Sequence, residues 1–135
     1  MNVKFTERDA NQYSPLTLAF LGDSVYELLV RQRIVSMANL PAAKLHSLKI
    51  KRVCAAFQSR ALDMIKDELS EKEAAVVRRG RNATGNTVPK NSTTADYRRA
   101  TALEALFGYL KLIGDDERIE KLFDMIWDME EFEIN

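Results

Sequence analysis

Two carboxylates stand four residues apart in an otherwise apolar stretch of the sequence. Between residues 10 and 30 the charged side chains are Asp23 and Glu27, and this spacing places them on one face of an α-helix. Desolvating two like charges is costly unless a cation or a hydrogen-bond donor compensates. A hard cation such as Mg²⁺ takes oxygen ligands and keeps several waters. Either a divalent cation or hydrogen bonds from nearby Arg side chains or backbone could therefore compensate this pair, and the residues by themselves leave both interpretations open.

A third acid of this kind is Glu104, the one charged residue between positions 100 and 110. Its predicted helix face carries small or hydrogen-bonding residues, namely Tyr97, Thr101 and Gly108. Gly22 stands beside Asp23, and Gly108 follows Glu104 by one turn. Because glycine has no side chain, each position allows another backbone to approach closely. We expect two helices to cross here with Asp23 and Glu104 side by side.

Cationic and amide side chains gather around a segment rich in glycine and asparagine, residues 80–93. A loop of about 14 residues in a small helical protein is longer than usual and is commonly functional. Arg and Lys offer charge to phosphates, and Asn offers a donor and an acceptor to sugars and base edges. The candidate nucleic-acid contacts are Arg78, Arg79, Arg81, Asn82, Lys90, Asn91 and Arg98. The alternative is an ordinary surface loop.

Charge is unevenly distributed, although 20 basic and 20 acidic side chains give the chain of 135 residues a formal net charge of zero. Residues 34–62 carry five basic side chains and no acid, and residues 78–99 carry six basic side chains and one acid. Residues 115–135 carry nine acids and two basic side chains. Two basic blocks favour a nucleic-acid partner, with solvated helix faces as the alternative.

The elements that must position these side chains are predicted to be helices. The pattern predicts them over 15–33, 42–68 (one helix or two), 70–80, 93–114 and 116–130. Ser14 and Pro15 supply an N-cap and an N1 proline, and Ser70 with Glu73 forms a capping box. No segment alternates with period two for long enough to predict a strand. We therefore expect an all-α fold with a single domain over residues 1–135.

Several classes of protein are disfavoured. The single Cys54 excludes an internal disulfide and a Cys-based zinc cluster, and together with the lack of a recognisable signal peptide it favours the cytoplasm. The longest nearly uncharged stretch, residues 16–30, carries two acids and is too short to span a bilayer, so we expect no membrane association. No Ser/His/Asp or Cys/His arrangement is visible, which disfavours covalent nucleophilic catalysis.

Three blocks of sequence resemble the ribonuclease III family in their order and spacing. Leu18–Val25, LAFLGDSV, is similar to the family's signature helix, and Ala102–Gly108, ALEALFG, is similar to its second motif. Between them, RGRNA (79–83), PKN (89–91) and YRRAT (97–101) resemble the Mini-III branch. This branch consists of the catalytic domain without the usual double-stranded-RNA-binding domain.

The resemblance implies a helical homodimer that cleaves double-stranded RNA with a divalent metal, Mg²⁺ or Mn²⁺ as its substitute, leaving 5′ phosphates. It implies that Asp23 and Glu104 are the metal ligands, and Glu27 ranks below them as a further ligand. The substrate that it implies is the precursor of large-subunit (23S) ribosomal RNA. Leu16, Ala19 and Thr101 stand where full-length enzymes have acids, a difference that Mini-III proteins share.

Two other functions fit parts of the sequence. A non-catalytic module of the same fold that binds structured RNA is favoured by the acids missing at Ala19 and Thr101, but retention of Asp23 and Glu104 disfavours it. An all-α nucleotide pyrophosphohydrolase also binds Mg²⁺ through helical acids. Such sites usually need several closely spaced Glu residues on one helix, and only Asp23 and Glu27 resemble that arrangement.

Overall fold

The computed structural model describes residues 4–83 and 92–135, and these residues form seven α-helices and one 3₁₀ turn. The elements are α1 (Glu7–Asn11), α2 (Pro15–Met37), α3 (Ala42–Val53), α4 (Ala55–Ile65), the 3₁₀ turn Lys66–Glu68, α5 (Glu71–Asn82), α6 (Thr94–Leu112) and α7 (Asp116–Asp128). No strand occurs within the two described ranges. The prediction of an all-α fold is therefore confirmed.

The predicted helix starts are present with the expected chemistry. The Ser14 hydroxyl accepts a hydrogen bond from the Leu16 amide at 3.2 Å, and Pro15 is the first residue of α2. The side chains and backbones of Ser70 and Glu73 exchange the two hydrogen bonds of a capping box. These bonds satisfy amide groups that a helix N-terminus otherwise leaves without partners.

Helix ends differ from the sequence-based bounds for reasons of packing. Helix α2 continues past residue 33 to Met37, with Ile34 buried in the core. Helix α5 does not end at Gly80 but continues to Asn82. A Cβ atom on Gly80 would lie 2.9 Å from the Cα atom of Ala102, so this glycine permits α5 to pack closely on α6 rather than ending the helix.

Helix α6 forms the centre of the fold. Every residue from Ala100 to Leu110 is buried except Glu104, which is half-buried. Helices α2, α4 and α5 make most of the contacts with α6. A carboxylate in so buried a helix is costly unless it has a specific partner, so Glu104 marks a site. Among the described helices, none is both long and apolar enough to cross a membrane.

Candidate metal site and nucleic-acid surface

Helices α2 and α6 cross in backbone contact at two glycines. A Cβ atom on Gly22 would lie 1.6 Å from the carbonyl oxygen of Glu104, and a Cβ atom on Gly108 would lie 1.9 Å from that of Leu18. Neither position has space for a side chain. The close crossing that the sequence predicted is confirmed.

This crossing brings Asp23 and Glu104 within hydrogen-bonding reach of each other. Asp23 lies on an exposed part of α2, whereas Glu104 is half-buried. Burial, followed by the charge of Asp23 and the hydrogen bond with it, raises the pKa of Glu104 to about 8, although the Gln58 amide acts in the opposite direction. Two carboxyl groups held this close favour either a shared proton or a bound cation.

The donor set fits a divalent cation such as Mg²⁺. Asp23 and Glu104 supply oxygen donors from two helices, and the exposure of Asp23 leaves room for the waters that Mg²⁺ retains. Ala19 and Thr101 are both buried, and the Thr101 hydroxyl donates a hydrogen bond to the Tyr97 carbonyl at 3.0 Å. Over residues 4–83 and 92–135, no three His, Cys, Asp or Glu side chains converge. The site is therefore built on two carboxylates.

Glu27 has cationic partners on both carboxylate oxygens. Its Oε2 accepts a hydrogen bond from Arg31 Nε at 3.0 Å, and its Oε1 lies 3.5 Å from Lys49 Nζ. The charge of Glu27 is thus compensated by nearby cationic side chains, which is one of the two arrangements that the sequence left open. A contribution of Glu27 to metal binding stays a prediction.

Gln58 also belongs to the site, although no sequence motif marks it. It lies on α4 with only 3 % of its surface exposed, and its Nε2 donates to Glu104 Oε2 at 3.4 Å. The signal was a polar residue beside Phe57 on a helix whose buried face is otherwise largely apolar. Buried amides need hydrogen-bond partners, but the sequence does not reveal which partner lies opposite.

The described candidate RNA contacts occupy the end of α5 and the start of α6. Arg78, Arg81, Asn82 and Arg98 are exposed. Arg79 is half-buried and donates to the carbonyl and side-chain oxygens of Asn11, at 3.1 and 2.9 Å. Lys90 and Asn91 lie outside the described residues.

An open cleft joins the basic end of α5 to the start of α2. Its lining residues are Ser14, Pro15, Leu16, Arg78, Arg79, Asn82 and Ala83. Leu16 precedes Asp23 by seven residues, so the two residues share a face of α2 and lie about 10 Å apart along the helix axis. The basic cleft therefore lies along the helix face that carries Asp23.

Two arginines of the other basic block, residues 34–62, are engaged within the protein. Arg52 is only 3 % exposed, its guanidinium lies 4.7 Å from the centre of the Trp127 ring, and it donates to the Glu130 carbonyl at 2.6 Å. Arg60 pairs with the Glu130 carboxylate at 2.9 Å. The expectation that this whole block offers its charge to RNA is wrong for Arg52, because aromatic rings and carbonyl groups surround its guanidinium.

Comparisons with known proteins show which family the chain belongs to. The family model described as Ribonuclease III domain matches residues 16–115. Mini-ribonuclease 3 of Thermoanaerobacter sp. (strain X514) is 44% identical over 120 residues, which cover 89% of this chain and 84% of that protein. Mini-ribonuclease 3 of Clostridium tetani is 41% identical over 124 residues, 91% of this chain and 82% of that protein.

The fold has a counterpart among solved structures. An X-ray crystal structure of a protein from Fusobacterium nucleatum superposes with a TM-score of 0.78 and 32% sequence identity, covering 84% of this chain and 91% of that one. The family match spans both crossing helices, and the relatives match over most of their length. The chain therefore belongs to the ribonuclease III family and, within it, to the Mini-ribonuclease 3 branch.

Proposed function

We propose that this protein is a divalent-metal-dependent endoribonuclease that hydrolyses phosphodiester bonds in double-stranded RNA. The observation that carries the proposal is the convergence of Asp23 and Glu104 where α2 crosses α6. Ribonuclease III family membership supports the reaction class. The branch resemblance supports the precursor of 23S ribosomal RNA as the substrate and the cytoplasm as the location.

Asp23 and Glu104 bind the metal in this proposal rather than attack the phosphate. A bound Mg²⁺, or Mn²⁺ in its place, would supply an activated water and stabilise charge on the phosphate. In this proposal the water adds to phosphorus and the 3′ oxygen leaves, so that the products carry 5′ phosphates and 3′ hydroxyls, as the family resemblance implies. Glu104 would hold the cation as a carboxylate, so its raised pKa, about 8, implies that cation binding would be accompanied by release of one proton to solvent. Asp23, on the exposed side, would supply the second carboxylate ligand, at a position open to solvent.

The basic side chains of α5, the following segment and α6 hold the RNA in this proposal. A-form RNA is recognised mainly through shape, phosphates and 2′-hydroxyls, so cations and amides suffice to bind it. The proposed contacts are Arg78, Arg79, Arg81, Asn82, Lys90, Asn91 and Arg98. The cleft beside Leu16 supports this surface, because it brings Arg78, Arg79 and Asn82 to the start of α2.

A homodimer is part of the proposal and is supported by an apolar stripe on α2. Phe20 is 83 % exposed, and Leu28 and Val35 are also exposed on this helix. A recess of about 170 Å³ between α2 and α3, lined in part by Val35 and Leu45, lies at the far end of the stripe. Antiparallel pairing of two α2 helices around Leu28 would place Phe20 of one copy near this recess of the other, which gives a self-complementary interface.

The test of the dimer uses Phe20→Ser, with Glu71→Gln, at an exposed position at the start of α5, as the control. Light scattering after size-exclusion chromatography should report a dimer for the parent and the control, and a monomer for Phe20→Ser. A parent protein that stays monomeric at micromolar concentration contradicts the dimer without affecting the assignment of the metal site.

The test of the activity incubates long double-stranded RNA with Mg²⁺ and the parent protein, Asp23→Asn or Glu104→Gln. We expect cleavage by the parent and a loss of at least a hundredfold in either variant. A folded parent protein that binds the RNA and leaves it intact after prolonged incubation would identify the non-catalytic RNA-binding module instead. Cleavage that both variants match would overturn the assignment of the site.

A further inference from the structure

A buried amide on α4 contacts one of the two carboxylates of the candidate metal site. The Gln58 amide nitrogen lies 3.4 Å from Glu104 Oε2, at the long end of the hydrogen-bond range. Helix α4 packs on α6 and buries Gln58 almost completely. Apart from Asp23, no other side chain over residues 4–83 and 92–135 is seen to hydrogen-bond the Glu104 carboxylate.

The chemistry of this contact suits a residue that orients a ligand. A carboxylate at the end of a flexible Glu side chain has several rotamers, and a donor on Oε2 restricts them and leaves Oε1 free for another partner. Gln is uncharged, so it orients the carboxylate without neutralising it as an Arg would, and the negative charge remains for a cation. Groups that hydrogen-bond metal ligands commonly set their orientation and basicity.

We propose that Gln58 is a positioning residue that holds the Glu104 carboxylate toward Asp23 and thereby sets the metal affinity of the site. The requirement is strong here because the site has two carboxylates, and the buried Ala19 and Thr101 offer none. With so few ligands, misorientation of one of them removes half of the protein's carboxylate donors. This proposal rests on the proposed function, since it assumes that the pair binds a divalent cation.

The test measures Mn²⁺ binding by isothermal titration calorimetry. Unfolding by urea in the presence of a chelator shows whether each variant is folded. Gln58→Met keeps the length of the side chain but removes the amide, and Ser59→Ala changes a buried polar neighbour on the same helix. Gln58→Met should weaken Mn²⁺ binding by about tenfold to a hundredfold, and Ser59→Ala should leave it within about twofold of the parent. Gln58→Asn, which withdraws the amide by one methylene, should also weaken binding and serves if Gln58→Met does not fold.

A double-variant comparison separates positioning from a general loss of structure. If Gln58 acts through Glu104, adding Gln58→Met to Glu104→Gln should change the remaining Mn²⁺ affinity by less than about twofold. Parent-like Mn²⁺ binding by Gln58→Met, or an equal loss in both backgrounds, overturns the positioning role. A parent protein that binds no Mn²⁺ overturns the proposed function itself, and the positioning role with it.

Discussion

Gly22 and Gly108 face each other across the contact between α2 and α6. A Cβ atom on Gly22 would lie 2.8 Å from the backbone nitrogen of Gly108, and a Cβ atom on Gly108 would lie 3.1 Å from that of Gly22. The neighbouring acids, Asp23 and Glu104, meet because these two backbones touch. The distance between α2 and α6 therefore controls both the packing of the core and the geometry of the candidate metal site.

Substitution of Gly22 should damage stability and metal binding together. Gly22→Ala places a methyl group 1.6 Å from the Glu104 carbonyl oxygen, so α2 and α6 must separate. We expect the free energy of unfolding to fall by about 3 kcal/mol or more, because such overpacking cannot be relieved by a rotamer change. Urea denaturation gives this value, and Ser24→Ala on the exposed side of α2 is the control. Parent-like stability of Gly22→Ala would contradict the close crossing.

Removal of the Glu104 charge should stabilise the metal-free protein at alkaline pH. The folded-state pKa of Glu104, about 8, lies above the ordinary value of 4.5. The folded state therefore holds this proton more tightly than the unfolded state, and its stabilising contribution is complete below about pH 4.5 and is lost as the pH rises through 8. The side chain of Glu104→Gln is neutral at every pH. The free energy of unfolding of this variant should therefore be greater than that of the parent by roughly 2–4 kcal/mol near pH 9.

The measurement for Glu104→Gln is urea unfolding in a chelator at pH 5 and pH 9. The difference between variant and parent should grow with pH, whereas Glu120→Gln, at an exposed position on α7, should follow the parent at both values. If the difference in free energy of unfolding between Glu104→Gln and the parent is the same at pH 5 and pH 9, the pKa of Glu104 is not raised in the folded state. With saturating Mn²⁺ at pH 9, the parent should become more stable than Glu104→Gln, because the bound cation stabilises the parent.

Arg52 should behave as a structural residue despite its place in a basic block. Its guanidinium lies 4.7 and 4.8 Å from the ring centres of Trp127 and Phe57 and donates to the Trp127 and Glu130 carbonyls. A Lys cannot reproduce this planar stacking with several directed donors. Arg52→Lys should therefore lower the free energy of unfolding by about 1–3 kcal/mol.

RNA binding should be measured on Arg52→Met, because a lysine at this position would retain the charge. Since the Arg52 guanidinium is buried, the slope of log affinity against log salt concentration for Arg52→Met should match that of the parent. A weaker salt dependence in this variant would show that Arg52 contacts the RNA.

Arg81 should contribute to RNA affinity through charge and not to the fold. It is exposed near the end of α5, so Arg81→Ala should leave the free energy of unfolding within about 0.5 kcal/mol of the parent. Loss of one phosphate contact should weaken RNA binding and reduce the salt slope by about 1. The control is Lys111→Ala, at the opposite end of α6 from the basic cleft. Unchanged affinity and slope for Arg81→Ala would exclude this residue from the interface.

Local chemistry explains how far the sequence alone determined this protein. The caps at Ser14 and Ser70 and the apolar pattern determined most helix starts and the all-α class, because these signals act over one or two turns. Gly22 and Gly108 beside Asp23 and Glu104 even predicted which helices cross. A charge in an apolar helix must have a partner, and a glycine beside it leaves room for one.

Tertiary structure decided which partner each polar group found. The sequence left open which groups compensate Glu27, and it placed Arg52 in a basic block. In the fold Glu27 pairs with Arg31 and Lys49, and the Arg52 guanidinium lies between the rings of Trp127 and Phe57. The fold also placed Gln58 against Glu104 from a helix with no recognisable motif. The partners in these pairs are separated by 22 to 75 residues along the chain. The exceptions are Glu27 with Arg31 and Arg52 with Phe57, which are close in sequence. Local propensity carries no information about contacts between distant helices, because they form only when the core packs.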